Sequence, residues 1–193
     1  MPSTILDPRT ALVLIDLQKG VLAMPAVHDS AGVVENAARL ARAFRNAGLP
    51  VVLVNVAFSR NGEDRLQPRS DEPAPSGALP ADFSELVPQL GATDDDVRIT
   101  KRQWGAFHGT ELDLQLRRRG VTGIVLGGIS TSIGVESTAR SALEHGYNVT
   151  FAVDAMTDRF EDAHRRALER IFPRIGQVRT TAEILSALDQ RAR

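Results

Sequence analysis

The chain has 193 residues, with 23 basic and 24 acidic side chains, a net charge of -1 and no cysteine. Balanced charge gives no support for a protein that binds nucleic acid or anionic membranes, and the lack of cysteine excludes disulfides, thiolate metal ligands and a thiol nucleophile. The length and a 42% hydrophobic content predict a single domain over residues 1–193.

Short apolar runs alternate with amphipathic stretches along the chain. The first run, residues 11–15, is too short for a signal peptide or a membrane span, so a cytoplasmic location is expected. Runs of this kind predict strands buried on both faces, at residues 11–15, 51–56, 97–100, 123–126 and 147–153. Helical spacing of apolar residues predicts helices at residues 33–48, 111–119, 134–144, 161–171 and 181–191. Thr110 is a candidate cap for the second of these helices.

This alternation predicts an α/β protein, with a three-layer α/β/α Rossmann-like fold and a central, mainly parallel sheet of about six strands. The charged, proline-rich segment 59–80 lies between two apolar runs, which favours a long active-site loop over a linker. In such sheets small molecules bind beyond the carboxyl ends of the strands. Asp16, Lys101 and the turn GGISTSIG (residues 127–134) each follow a predicted strand. They are therefore expected at one edge of the sheet.

Common catalytic and cofactor-binding motifs do not account for the polar residues at this edge of the sheet. The turn at residues 128–132 differs from the nucleophile elbow G-x-S-x-G because Ser132 replaces the second glycine. The glycine spacing also does not match the dinucleotide fingerprint. The four histidines (His28, His108, His145 and His164) are scattered without the spacing of a zinc site. Neither a metal nor an organic cofactor is predicted.

Three segments together resemble a known family: ALVLIDLQKG, VRITKRQWGAFHGTELDLQLRRRGV and GIVLGGISTSIGVESTARSALEHGYNVTFAVDAMTD. In order and spacing they resemble the isochorismatase-like hydrolases, also called the cysteine hydrolase superfamily. The resemblance implies a site in which Asp16 and Lys101 take the places of the family's Asp and Lys, and Gly134 takes the place of its cysteine. It further implies a cis peptide between Ile129 and Ser130, with the amides of Ser130 and Gly134 forming an oxyanion hole.

The same resemblance implies a small-molecule substrate and a homodimer or homotetramer. The nicotinamidase branch holds a metal after its second strand, but the corresponding stretch VAFSRNGEDR has no histidine, so no metal is expected. Candidate substrate-binding residues lie close to the predicted catalytic positions, and for Phe107 a core position is an equal alternative. These candidates are Gln18, Trp104, Phe107, Thr131 and Ser132.

Three functions remain open for an Asp–Lys–Gly site. A hydrolase of a small anionic vinyl ether needs no nucleophile, because Asp16 can protonate the enol carbon before water adds. An amidohydrolase could instead use a serine or threonine of residues 130–132 activated by Lys101, although helix capping suits those hydroxyls better. A catalytically retired ligand-binding or assembly protein is the third possibility. The presence of both Asp16 and Lys101 favours the first.

Overall fold

The computed structural model of the chain describes residues 4–72 and 77–191. Within these ranges the strands are β1 (Thr10–Ile15), β2 (Val51–Val56), β3 (Val97–Lys101), β4 (Gly123–Ile129), β5 (Asn148–Thr157) and β6 (Gly176–Arg179). The helices are α1 (Lys19–Leu22), α2 (Ser30–Asn46), α3 (Leu112–Arg118), α4 (Glu136–Glu144), α5 (Glu161–Arg166), α6 (Phe172–Ile175) and α7 (Thr181–Arg191). A 3₁₀ turn (Pro88–Leu90) and two π-type turns (Thr131–Val135 and Ala167–Ile171) complete the regular structure of these ranges.

The six strands form one sheet in the order β3-β2-β1-β4-β5-β6, and every neighbouring pair is parallel. From β1 the chain winds outward to β2 and β3, and from β4 it winds in the opposite direction to β5 and β6. The junction of β1 and β4 is therefore the switch point where a sheet of this type binds ligands. The predicted α/β architecture is confirmed.

Helices cover both faces of the sheet and create two hydrophobic cores. Ala11, Val13 and Ile15 of β1 face the core formed with α3, α4 and α6, while Leu12 and Leu14 face the core formed with α2 and α7. Because successive strand residues point to opposite faces, β1 needs an apolar residue at every position. This requirement explains the uninterrupted apolar run in the sequence.

The element boundaries differ from the predictions in several places, including β5, which runs to Thr157 rather than residue 153, and α4, which begins at Glu136 rather than residue 134. Helix α2 begins at Ser30 rather than residue 33, because the Asp29 side chain accepts hydrogen bonds from the amides of Ala31 (3.1 Å) and Gly32 (3.3 Å). Strand β4 continues to Ile129 because its two glycines pair with the end of β1. Strand β6 was not predicted. The N-cap of α3 is Glu111 rather than the predicted Thr110, although the Thr110 hydroxyl accepts the amide of Leu112 at 3.1 Å.

The described parts of the predicted loop, residues 59–72 and 77–80, carry neither helix nor strand. Beyond them, residues 83–87 contact the segment that follows β1: the amide of Lys19 donates to Glu85 O at 2.9 Å, and that of Val87 donates to Leu17 O at 3.1 Å. The carboxyl edge of the sheet is therefore flanked by a loop. Over residues 4–72 and 77–191, no helix is long and apolar enough to cross a membrane.

Candidate active site

The three predicted catalytic positions lie together at the switch point. Asp16 directly follows β1, and the turn containing Gly134 follows β4, whose Gly128 is the register partner of Ile15. Lys101 is the last residue of β3, which is separated from β1 by β2. Its long side chain spans that gap, and its Nζ lies 2.6 Å from Asp16 Oδ2. A lysine suits this position because a shorter cation attached to β3 could not reach β1.

The Asp16–Lys101 pair is buried, with 5% and 3% of the two residues exposed. Lys101 Nζ also donates to the carbonyl of Gln103 at 3.1 Å, whereas Asp16 Oδ1 has no hydrogen-bond partner among the described residues. Burial raises the pKa of Asp16 to about 6, although the charge and the hydrogen bond of Lys101 lower it. A carboxyl group with this pKa exchanges its proton close to neutral pH.

The backbone at Asp16 has a left-handed conformation, with φ of 52°. Aspartate is one of the few residues other than glycine that adopts this conformation readily. The amide of Asp16 donates to Val54 O of β2 at 2.9 Å, and its carbonyl accepts the amide of Gln18 at 2.8 Å. The chain thus turns immediately after β1, at the residue that carries the carboxyl group.

The turn after β4 begins with a cis peptide between Ile129 and Ser130, which confirms the prediction for this bond. The carbonyl of Ser130 then accepts the amides of Ile133 at 3.2 Å and Val135 at 3.1 Å. The second bond closes a π-type turn, Thr131–Val135, ahead of α4. The role of the Ser130 and Gly134 amides as an oxyanion hole stays a prediction.

Gly134 faces the Asp16 carboxyl group. A Cβ atom at this position would lie 3.6 Å from Asp16 Oδ2 and 3.5 Å from Ile129 O. It would also lie 3.0 Å from Cγ2 of Ile15, a contact that requires the methyl group to move by a few tenths of an ångström. A side chain at position 134 would therefore stand beside the Asp16 carboxyl group, and the role of this position as that of the family nucleophile stays a prediction.

A Gly134→Cys variant is expected to have a reactive thiol. The start of α4 and the Lys101 cation favour a thiolate, and Asp16, with a pKa of about 6, can accept the thiol proton. We expect alkylation by iodoacetamide to show a thiol pKa well below about 8.5, the ordinary cysteine value. Ser186→Cys, on the exposed face of α7, provides an ordinary thiol for comparison. Equal pKa values in the two variants would contradict the placement of Gly134.

Two predicted substrate contacts have other partners in the structure. Gln18 is completely buried, and its amide group donates to the carbonyls of Val56 (3.0 Å) and Phe83 (2.8 Å) while accepting the amide of Val56 (2.8 Å). Its side chain therefore joins the end of β2 to the flanking loop. Phe107 is 6% exposed and packs in the core against His145 and Tyr147, which is the alternative considered for it.

The remaining candidates for substrate binding, Thr131, Ser132 and Trp104, differ in exposure and in hydrogen bonding. Thr131 is fully buried and its hydroxyl donates to Thr157 O at 3.0 Å, so this side chain belongs to the protein interior rather than to a pocket wall. The amide of Ser132 donates to Asp158 Oδ2 at 2.7 Å. Trp104 is 67% exposed and lies three residues beyond Lys101. Its contact with substrate stays a prediction.

The histidines show how side chains remote in sequence meet near the turn. His28 and His164 lie with ring centroids 4.6 Å apart, and His164 Nδ1 is 2.9 Å from the hydroxyl oxygen of Thr131. In the described residues, no group of three or more histidine, aspartate and glutamate side chains is arranged to hold a metal ion. The histidine pair is instead part of the packing around the turn.

Arg65 is a further cation near this edge that the sequence reasoning did not identify. Its guanidinium lies over the ring of Phe58, with Cζ 5.0 Å from the ring centroid, and its Nε is buried without a hydrogen-bond partner among the described residues. The preceding residue, Asp64, pairs with Nε of Arg102 at 2.7 Å, the neighbour of Lys101. The sequence gives little indication that Arg65 differs from its neighbours, because residues 59–72 contain several arginines and acidic residues.

Comparison with known proteins agrees with this geometry. The sequence of residues 10–183 matches the protein-family model of the isochorismatase domain. The uncharacterized isochorismatase family protein YwoC of Bacillus subtilis is 53% identical over 92% of this chain and 93% of its own length. YecD of Escherichia coli O157:H7, likewise an uncharacterized isochorismatase family protein, is 49% identical over 93% and 96% of the two chains. The structure of an isochorismatase family protein from Burkholderia thailandensis has a TM-score of 0.92 and 48% identity, covering 95% and 97%.

Proposed function

The chain belongs to the isochorismatase family of hydrolases, and from that premise we propose that it hydrolyses a small anionic vinyl ether with Asp16 as general acid. The observation that carries the proposal is the buried Asp16 carboxyl group, which faces a glycine where a nucleophile would stand. Its Oδ1 has no partner among the described residues and is free to deliver a proton to a substrate. No covalent thiol intermediate is available to this chain.

The reaction requires few groups from the protein. Protonated Asp16 donates its proton to the terminal enol carbon, and the double-bond electrons form the new C–H bond, leaving an oxocarbenium ion. Water adds to that ion and loses a proton, which restores the Asp16 carboxyl group. The resulting hemiketal breaks the C–O bond to the alkoxy group as its hydroxyl proton is transferred to that leaving oxygen, releasing an alcohol and a carbonyl product. Lys101, held 2.6 Å from Asp16, contributes a positive charge beside the developing oxygen negative charge at bond cleavage.

Arg65 supports the choice of an anionic substrate. Its guanidinium is stacked on Phe58, two residues beyond the end of β2, and the amide of Ala57 donates to Lys101 O at 3.1 Å. Arg65 is thereby connected to the same edge of the sheet as the Asp16–Lys101 pair. A guanidinium whose Nε is buried and has no partner in the part of the chain that the structure describes is well suited to a carboxylate, which it can bind through two hydrogen bonds. A substrate carboxylate would also favour the protonated form of Asp16.

The proposal gives a direct assay. The purified protein is incubated with isochorismate and related enol ethers, and the carbonyl product is quantified; in parallel, a panel of amides is tested for ammonia release. Turnover of an enol ether without a covalent intermediate supports the proposal. Ammonia release would favour an amidohydrolase, and a thermal shift with ligand but no turnover would favour a retired binding protein. Either of those outcomes contradicts the proposal.

The pH dependence of this turnover should report Asp16. Because the protonated carboxyl group is the active form, kcat/KM is expected to fall about tenfold per pH unit above the Asp16 pKa of about 6. Lys101→Met removes the group that lowers this pKa, so the falling limb should move to higher pH, whereas Lys101→Arg should keep it near the wild-type position. A limb that stays at the same pH in Lys101→Met would show that the two groups are not coupled.

A further inference from the structure

The turn after β4 is attached to the segment that follows β5 at two consecutive residues. The Thr131 hydroxyl donates to Thr157 O at 3.0 Å and lies 2.9 Å from His164 Nδ1. The Ser132 amide donates to a carboxylate oxygen of Asp158 at 2.7 Å, and the other oxygen of Asp158 accepts the amide of Arg159 at 2.7 Å. The position of the turn thus depends on groups from β5 and α5, far away in the sequence.

The direction of the hydrogen bond between Thr131 and His164 follows from the single hydrogen of the Thr131 hydroxyl. The Thr131 hydroxyl has one hydrogen, and the carbonyl of Thr157 can only accept it. The Thr131 oxygen must therefore accept from His164, which places a proton on Nδ1. Burial, and to a smaller extent the neighbouring His28, lowers the pKa of His164. When the ring is neutral, its single N–H proton is therefore on Nδ1. A charged ring would also donate from this atom, so the contact persists in both states.

This contact is well placed to orient the reacting part of the turn. A π-type turn closes fewer regular helical bonds than an α-helix, so side-chain contacts contribute more to its geometry. Thr131 is the first residue of that turn, and its side chain is completely buried. Three residues later, Gly134 faces Asp16. A rotation of the backbone at Thr131 would therefore redirect the amide groups between the two residues.

We propose that His164 is a positioning residue for the active site: its Nδ1–H holds Thr131 and thereby fixes the turn amides opposite Asp16. The inference rests on the proposed function, since it takes Asp16 and the turn whose Gly134 faces it as the reacting part of the site. His164 itself does not touch the reacting atoms; it acts through Thr131. Nothing in the sequence pattern around residue 164 indicates this role, because a lone histidine on a helix is usually a packing residue.

A thiol at residue 134 provides a probe that needs no substrate. His164→Leu and His164→Asn are each combined with Gly134→Cys, and the thiol pKa is measured from the pH dependence of iodoacetamide alkylation. Asparagine keeps an N–H donor close to the Nδ1 position, whereas leucine fills part of the volume of the ring but has no hydrogen-bond donor. We expect His164→Leu to raise the thiol pKa by about one unit, with alkylation several-fold slower near pH 7, and His164→Asn to restore most of the Gly134→Cys value. Melting temperatures are recorded for all variants.

The outcomes separate positioning from simple packing. If His164→Leu lowers the melting temperature but leaves the thiol pKa unchanged, His164 is a packing residue and the inference is wrong. If this variant does not fold, His164→Asn is compared with the nearly isosteric Thr131→Val, which loses the bonds to both His164 and Thr157. We expect the thiol pKa to rise in Thr131→Val and to stay near the Gly134→Cys value in His164→Asn; an unchanged thiol pKa in Thr131→Val contradicts the inference. A thiol that titrates normally in Gly134→Cys alone contradicts the site itself. Failure of the enol-ether assay, together with the expected thiol shifts, overturns only the proposed reaction.

Discussion

Asp16→Asn is expected to reduce turnover of the true substrate by about 10²- to 10⁴-fold, the usual contribution of a general acid. The amide has nearly the same shape as the carboxyl group, and its oxygen can still accept from Lys101 Nζ, which lies 2.6 Å from Oδ2 in the wild type. It has no acidic proton to donate to carbon. We therefore expect folding and ligand binding to survive while the chemical step is lost, measured as kcat under saturating substrate.

Asp96→Asn is a suitable control for this variant. Asp96 is also buried and is paired with Arg45 through two hydrogen bonds of 3.0 and 2.8 Å, but it precedes β3 at the opposite end of the sheet. Removing its charge should lower the melting temperature and leave kcat close to wild type. If Asp16→Asn retains activity within about threefold of wild type, Asp16 is not the general acid.

Gly128→Ala is expected to abolish most of the stability of the fold. Gly128 has φ of 121°, and a Cβ atom there would lie 2.1 Å from the carbonyl oxygen and 2.5 Å from the amide nitrogen of Ile15. Both contacts are with backbone atoms of the paired strand β1, which cannot rotate away. The cost should exceed about 4 kcal/mol, against a typical total stability of about 5–15 kcal/mol. Urea denaturation followed by circular dichroism measures it.

Gly146→Ala separates the steric effect from the effect of backbone conformation. Gly146 also has a positive φ, 80°, but no atom of the described residues lies within 4 Å of its Cβ position. Its substitution should cost only about 1–3 kcal/mol, the strain of a left-handed residue other than glycine. Similar urea midpoints for the two variants would show that β1 and β4 do not approach each other as closely at Gly128 as described.

The fold was largely predictable because its strands are buried on both faces. Apolar runs identified five of the six strands, and helical spacing identified the larger helices. Strand β6 was missed because its sequence, GQVR, has a single large apolar residue and every position is only partly buried. Its pairing with β5 is set by tertiary structure, not by an apolar run. The extension of β4 was missed for a related reason, since two glycines interrupt the apolar pattern.

The grouping of candidate residues at one edge of the sheet was predictable where residues follow strands and where they match a family motif. Asp16, Lys101 and Gly134 met both conditions. Gln18 and Thr131 were expected to contact substrate, but their polar groups have partners that lie far away in the sequence. No local pattern shows whether a polar side chain is already occupied by such a partner. Arg65 was missed for the converse reason: only the fold shows that its Nε is buried and has no hydrogen-bond partner within residues 4–72 and 77–191.

The close packing of Ile15 against position 134 constrains how a thiol could be introduced at that position. The γ-methyl group of Ile15 lies 3.0 Å from the position of a Cβ at residue 134, and Ile15 is fully buried in β1. A cysteine acquired alone would therefore carry a packing cost until residue 15 changed as well. A directed-evolution library that varies both positions should yield cysteine-containing catalysts more often than one that varies residue 134 alone. Residue 15, which takes no part in the chemistry, would then determine how well a side chain at position 134 is accommodated.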